Sequence, residues 1–122
     1  MGLNIVAYRK LSLADFAEGW GDCFLTIRVA NERERESWME MIEGAKTAND
    51  KDMLASSVRE ICVAVITGGM IMNTDSDGKA SPLKIDVSDV PDVLDAVNFD
   101  WQMEIIGTST GANRLKAPTL SA

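Results

Sequence analysis

Histidine is missing from all 122 residues of this chain. It is the side chain best suited to proton transfer near neutral pH and the commonest metal ligand. Its absence excludes Ser-His-Asp and Cys-His nucleophile arrangements and every histidine-bearing zinc or iron site. Cysteine is nearly as scarce. Cys23 and Cys62 stand far apart, with no CxxC and no third or fourth thiol. A zinc site would need two further ligands from Asp or Glu, so both thiols read as small buried hydrophobes. Positive charge is short as well: 12 basic residues face 19 acidic ones, for a net charge of −7. That balance argues against sequence-independent binding of DNA or RNA, which needs clustered Lys and Arg on phosphates. No apolar run approaches a membrane span. Residue chemistry thus points to a protein that binds rather than reacts, without metal or cofactor.

What is present is ordinary for a globular domain, with 46% apolar and 25% charged residues. The length suits one domain with a real core, independent of disulfides. The start MGLNIVAYRK has no apolar signal-peptide region and no Ser or Thr at the sixth position of a myristoylation signal. A reducing cytoplasm is the default expectation.

Residues 1–11 read as an extended arm or edge strand. Ser12 and Asp15 are spaced as an N-cap pair opening a short helical turn, which Gly19-Trp20-Gly21 ends. Trp20 is expected to anchor the core where the chain turns. From Asp22 to Val29, Cys23, Leu25, Ile27 and Val29 alternate with Phe24, Thr26 and Arg28, the pattern of a half-buried strand. Asn31 and Glu34 form a capping box for a helix over Glu32–Lys46. A second helix follows Ala48-Asn49-Asp50, with Met53, Leu54, Val58, Ile61, Cys62, Val65 and Ile66 as its apolar stripe. Its ICVAVI stretch also suits a strand; length and the terminating Gly68-Gly69 favour helix. Met70–Met72 and Leu83–Asp86 bracket a polar turn and read as a short hairpin. Ser88 or Asp89 caps a last helix, with Pro91 in its first turn and Val93, Leu94, Val97, Trp101 and Ile105 along one face as far as Gly107. The expected fold is α+β and predominantly α. Three main helices accompany an N-terminal strand and a short hairpin in a small antiparallel sheet, as one domain over 1–107. Residues 108–122, small and aperiodic, are expected to be a disordered tail.

Three features could carry chemistry. Asn73, Asp75, Asp77 and Gly78 match the opening of a calcium loop, but Lys84 holds the place of the bidentate Glu that would complete the cage. A hairpin turn built on Asp and Gly is the better reading. The acids Asp86, Asp89, Asp92, Asp95, Asp100 and Glu104 run without an intervening cation. Asp89 and Asp92 suit a helix start; the others form a solvated face or a docking surface for a basic partner. The many methionines serve as core filling or as an adaptable contact surface.

Two stretches resemble the tail assembly chaperones of long-tailed bacteriophages. One is Ser12-Leu13-Ala14-Asp15-Phe16-Ala17-Glu18-Gly19-Trp20 leading into the strand Cys23–Arg28. The other is Gly68-Gly69, then Asp77-Gly78-Lys79, Leu83-Lys84-Ile85 and Asp89-Val90-Pro91-Asp92-Val93-Leu94. The likeness spans residues 12–107, and Ala48–Val65 carries no matching motif. It implies a small acidic protein, not an enzyme, that binds the tape measure protein and keeps it soluble in the cytoplasm of the infected host. It also implies a longer frameshifted form that recruits the tail tube protein.

A chaperone of this kind needs adaptable apolar surface and a solubilising net charge. The expected contact surfaces are Trp38, Met39, Met41 and Ile42 on one helix and Val97, Trp101 and Ile105 on another. Self-association is compatible with the sequence. Two rivals remain: a structural tail or head–tail joining protein carried in the virion, and an enzyme using acids with Cys23 or Cys62.

Overall fold

A computed structural model describes residue 3 and residues 5–112. The chain runs β1 (Tyr8–Ser12), β2 (Phe24–Arg28), α1 (Glu32–Thr47), α2 (Lys51–Val65), β3 (Ile66–Thr74), β4 (Ala80–Ile85), a 3-10 turn (Val87–Asp89), α3 (Val90–Ala96) and α4 (Phe99–Thr110). Two strands followed by two helices thus occur twice in succession. The strands form one antiparallel sheet in the order β1-β2-β3-β4. The α+β expectation, rich in helix, holds; the sheet is larger than a lone strand with a hairpin, and there are four α-helices among the described residues.

The alternation read in β2 sets the layering. Leu25 and Ile27 are fully buried and face the helices, while Phe24, Thr26 and Arg28 turn to the other side and stay half-exposed. Pairing carries this division across the sheet. Leu11 lies opposite Leu25 on the helical side, and Lys10 lies opposite Thr26 on the open side. The core sits between sheet and helices, where Leu25, Ile27, Val58, Ile61, Val65, Val90, Leu94 and Ile105 pack together. α4 rests on β1 and β2, α2 packs on α4, and α1 packs chiefly on α2. That order places α1 outermost.

The helix starts are chemically explicit. Asn31 accepts from the Glu34 backbone N–H at 2.8 Å, and the Glu34 carboxylate accepts from the Asn31 N–H at 3.1 Å, the expected capping box. Asp50 caps α2 through the Met53 N–H.

Three boundaries differ from the sequence reading. Gly68-Gly69 do not end a helix; α2 stops at Val65 and both glycines lie inside β3. Gly69 has φ +147°, and a Cβ there would stand 2.3 Å from the Phe24 carbonyl oxygen, so the close approach of β2 and β3 demands glycine. The last helix is two helices. Val97 takes an extended backbone and Asn98 caps α4 through the Trp101 N–H at 3.0 Å. α4 also continues past Gly107 to Thr110, so the first residues of the expected tail are helical. Ser109 is fully buried, its hydroxyl donating to the Arg28 carbonyl at 2.7 Å. The rest of that tail, 113–122, lies outside the described residues. Ser12 and Asp15 open a run of turns, the first closed by the Phe16 N–H on the Leu13 carbonyl, with the Ser12 hydroxyl accepting from the Ala14 N–H.

Candidate apolar cleft

The segment between β1 and β2 is tied shut at its base, where the Leu13 N–H donates to the Cys23 carbonyl at 2.9 Å. Tight backbone bonds from Phe16 to Leu13 and from Trp20 to Ala17 hold its aromatic side chains in place. Phe16 packs on Trp20 at a tilt of 47° with centroids 4.7 Å apart and meets Trp101 edge-on at 5.9 Å. The ends of β3 and β4 and the flank of α3 complete a cleft of about 300 Å³. Its walls are Phe16, Trp20, Met72, Leu83, Val93 and Val97, and Leu13 and Ile85 form its floor. Asp89 and Asp92 stand on one rim. One Asp89 carboxylate oxygen accepts from the Asp86 N–H at 3.0 Å. Asp86 in turn accepts from Ser88, and those bonds hold its carboxyl below the usual carboxylate range.

A second, broader groove of about 630 Å³ runs between α1 and α4. Met39, Ile42 and Met103 form its apolar part, and Glu36, Glu40 and Glu43 border it together with Arg35 and Lys46.

The expected contact residues divide accordingly. Met39 is 40% exposed and lines the α1 groove, with Ile42, itself only 4% exposed, beneath it. Trp38 and Met41 are half-buried against the core. Val97 lines the cleft, and Trp101 lies behind Phe16. Ile105 has no exposed surface and leaves the candidate set: it is the pin of α4 in the core, out of reach of any partner while the domain is folded. Reasoning from the sequence missed Leu83, Met72 and the outward role of Trp20. The signal was weak but present, because β3 and β4 carry apolar residues on both of their faces.

The cysteines offer no accessible nucleophile. Cys62 is fully buried, donates weakly to the Gln102 carbonyl at 3.3 Å, and burial pushes its thiol up to about 12. Burial and the neighbouring Asp22 also raise the Cys23 thiol. The calcium-like segment is the β3–β4 turn. One Asp75 carboxylate oxygen accepts from the Asp77 and Lys79 N–H groups at 2.9 Å each, and Gly78 takes φ +82°. Among the described residues, no cluster of three or more Cys, Asp or Glu is placed to hold a metal ion, and no helix is long and apolar enough to cross a membrane.

Compared with protein-family models, curated proteins and solved structures, the chain matches none. Its cleft and grooves therefore have to be understood from their own chemistry. A concave apolar wall with aromatic side chains takes up the apolar side chains of a ligand or of another chain. Each fully buried Leu- or Phe-sized anchor supplies about 1.5–3 kcal/mol. Carboxylates on the rim favour a cationic neighbour beside that anchor.

Proposed function

We propose that this protein is a tail assembly chaperone of a long-tailed bacteriophage, binding apolar segments of the tape measure protein and keeping it soluble in the host cytoplasm. The observation that carries the reading is the cleft walled by Phe16, Trp20, Leu83 and Val97 on a strongly acidic domain. An amphipathic helix could set two or three apolar side chains against that wall, with its Lys or Arg residues toward Asp89 and Asp92. The net charge of −7 would keep the complex dispersed. The resemblance of residues 12–107 to that family supports the same reading, as do thiols too buried for nucleophilic work. A longer frameshifted form recruiting the tail tube protein belongs to this proposal.

Co-expression with the tape measure protein, followed by size-exclusion chromatography, tests it. The expected result is a soluble complex that Leu83→Glu disrupts and Met39→Glu spares. Leu83 is 42% exposed, so the substitution should leave the fold intact, which circular dichroism checks. The opposite pattern would move the contact to the α1 groove. A tape measure protein that stays insoluble, with this chain found instead in purified virions, would replace the chaperone with a structural tail component.

A further inference from the structure

All 19 acidic residues lie outside the four strands, which carry Arg9, Lys10, Arg28 and Lys84. Two of those cations are satisfied within the domain. Arg9 donates to the Thr108 carbonyl at 2.6 Å, and Arg28 is paired with both oxygens of Glu34 at 2.8 Å. Lys10 and Lys84 remain on the open face of the sheet, with no ion pair to a described residue. Between them that face is apolar. Lys10 sits 4.4 Å above the Phe24 ring, Phe24 pairs with Met70, and Met70 pairs with Lys84. A shallow depression of about 530 Å³ runs past Phe24, Gly68, Met70 and Lys84. The carboxylate at its end, Asp86, is engaged with Ser88. An acidic protein thus presents, on the sheet face away from the described helices, an apolar surface whose lysines outnumber its one carboxylate.

The complement is on the same chain. The groove on α1 places Met39 and Met103 among Glu36, Glu40 and Glu43, which outnumber Arg35 and Lys46 on its border, and none of these three acids makes an ion pair with a described residue. The α1 groove is shared with Met103 of α4, which packs on the helical side of the sheet, so one molecule cannot join the two patches internally. We propose that the open face of the sheet docks on the α1 groove of a second copy. Lys10 and Lys84 then meet the glutamates of α1 while Phe24 and Met70 meet the methionines. The patches differ, so the contact is head-to-tail and adds further copies, giving a ring or a filament rather than a symmetric pair. This inference is independent of the tape measure reading, since it needs no other protein.

Sedimentation velocity of the full chain alone tests it, over a concentration series in about 20 mM and about 500 mM salt. The expected result is association beyond a dimer at low salt, weakened at high salt. Lys10→Glu/Lys84→Glu should weaken it about tenfold or more, and so should Glu36→Lys/Glu40→Lys/Glu43→Lys. Mixing the two variants should restore it, because each then offers the charge the other lacks. These are exposed charges, and circular dichroism checks that both variants fold. A chain that stays monomeric at every concentration and salt would overturn the proposal. So would association that stops at a dimer, survives Lys10→Glu/Lys84→Glu, or fails to return on mixing.

Discussion

Alanine at position 69 places a methyl group where the backbone of the neighbouring strand already lies. The added Cβ would stand 2.3 Å from the Phe24 oxygen and 2.9 Å from the Leu25 Cα, and both atoms belong to the backbone of β2, an inner strand of the sheet. Neither can swing aside as the tip of a side chain can. Two costs add. An L residue held at φ +147° is strained by about 1–3 kcal/mol, and overpacking between two strands costs about 1–3 kcal/mol more. Together they predict a loss of ~2–6 kcal/mol, a large share of a typical domain's stability. At ~4 °C per kcal/mol for a chain of this size, the melting midpoint should fall by ~8–24 °C. The neighbouring residue supplies the control. A Cβ on Gly68 would meet only the Ile85 oxygen at 3.4 Å, so Gly68→Ala should change stability by less than about 1 kcal/mol. Thermal unfolding followed by circular dichroism, with urea titration of each variant, measures both. A Gly69→Ala protein that melts with the wild type would refute the close approach of β2 and β3.

Three further outcomes follow from the same geometry. Glu34→Gln keeps a capping amide but loses the charged pair with Arg28, and should cost about 1 kcal/mol in urea unfolding near neutral pH. The Arg28 hydrogen bond holds the Glu34 carboxyl below its ordinary value of 4.5. Its contribution is therefore complete above that value and is lost as pH falls through the lowered one, so the two proteins should converge in acid. Cys62, pushed up to about 12 by burial, should react with a thiol reagent at pH 8 only as fast as the domain opens; instant labelling of the native protein would place that thiol at the surface. Asp95→Ala breaks a 3.0 Å pair with Arg59 whose side chains are 39% and 69% exposed. Its cost should stay below about 1 kcal/mol, with salt erasing the difference.

Local chemistry made parts of this fold legible in the sequence. The alternation from Cys23 to Val29 gave the correct inward face, because one strand face is buried and the side-chain period is two. Asn31 and Glu34 sit three residues apart and cap each other as read. The Asp-Gly turn between β3 and β4 was legible for the same reason. Gly68-Gly69 was misread because a glycine that ends a helix and one that admits a neighbouring backbone look alike without the neighbour. The break before Asn98 was hidden by an apolar stripe that continues in phase from Val93 to Ile105. The cleft draws on the aromatic turn, β3, β4 and α3, segments remote from one another along the chain. No local spacing brings Leu83 to Trp20; only the sheet does.

The contact between Ser109 and Arg28 sets an order of events. The last helix donates the Ser109 hydroxyl to the Arg28 carbonyl and accepts the Ala30 N–H at 3.0 Å through its own backbone. It also seats Ile105 in a core that draws on residues from Leu13 to Val97. β1 and β2 can meet early, as can the α1–α2 pair, since each needs only nearby residues. The core against the sheet stays incomplete until α4 arrives. The domain therefore stays incomplete until α4 has been made, and closure of its core waits for that helix. A chain stopped just before Asn98 should then behave as an unfolded or aggregating fragment, not as a smaller version of the domain.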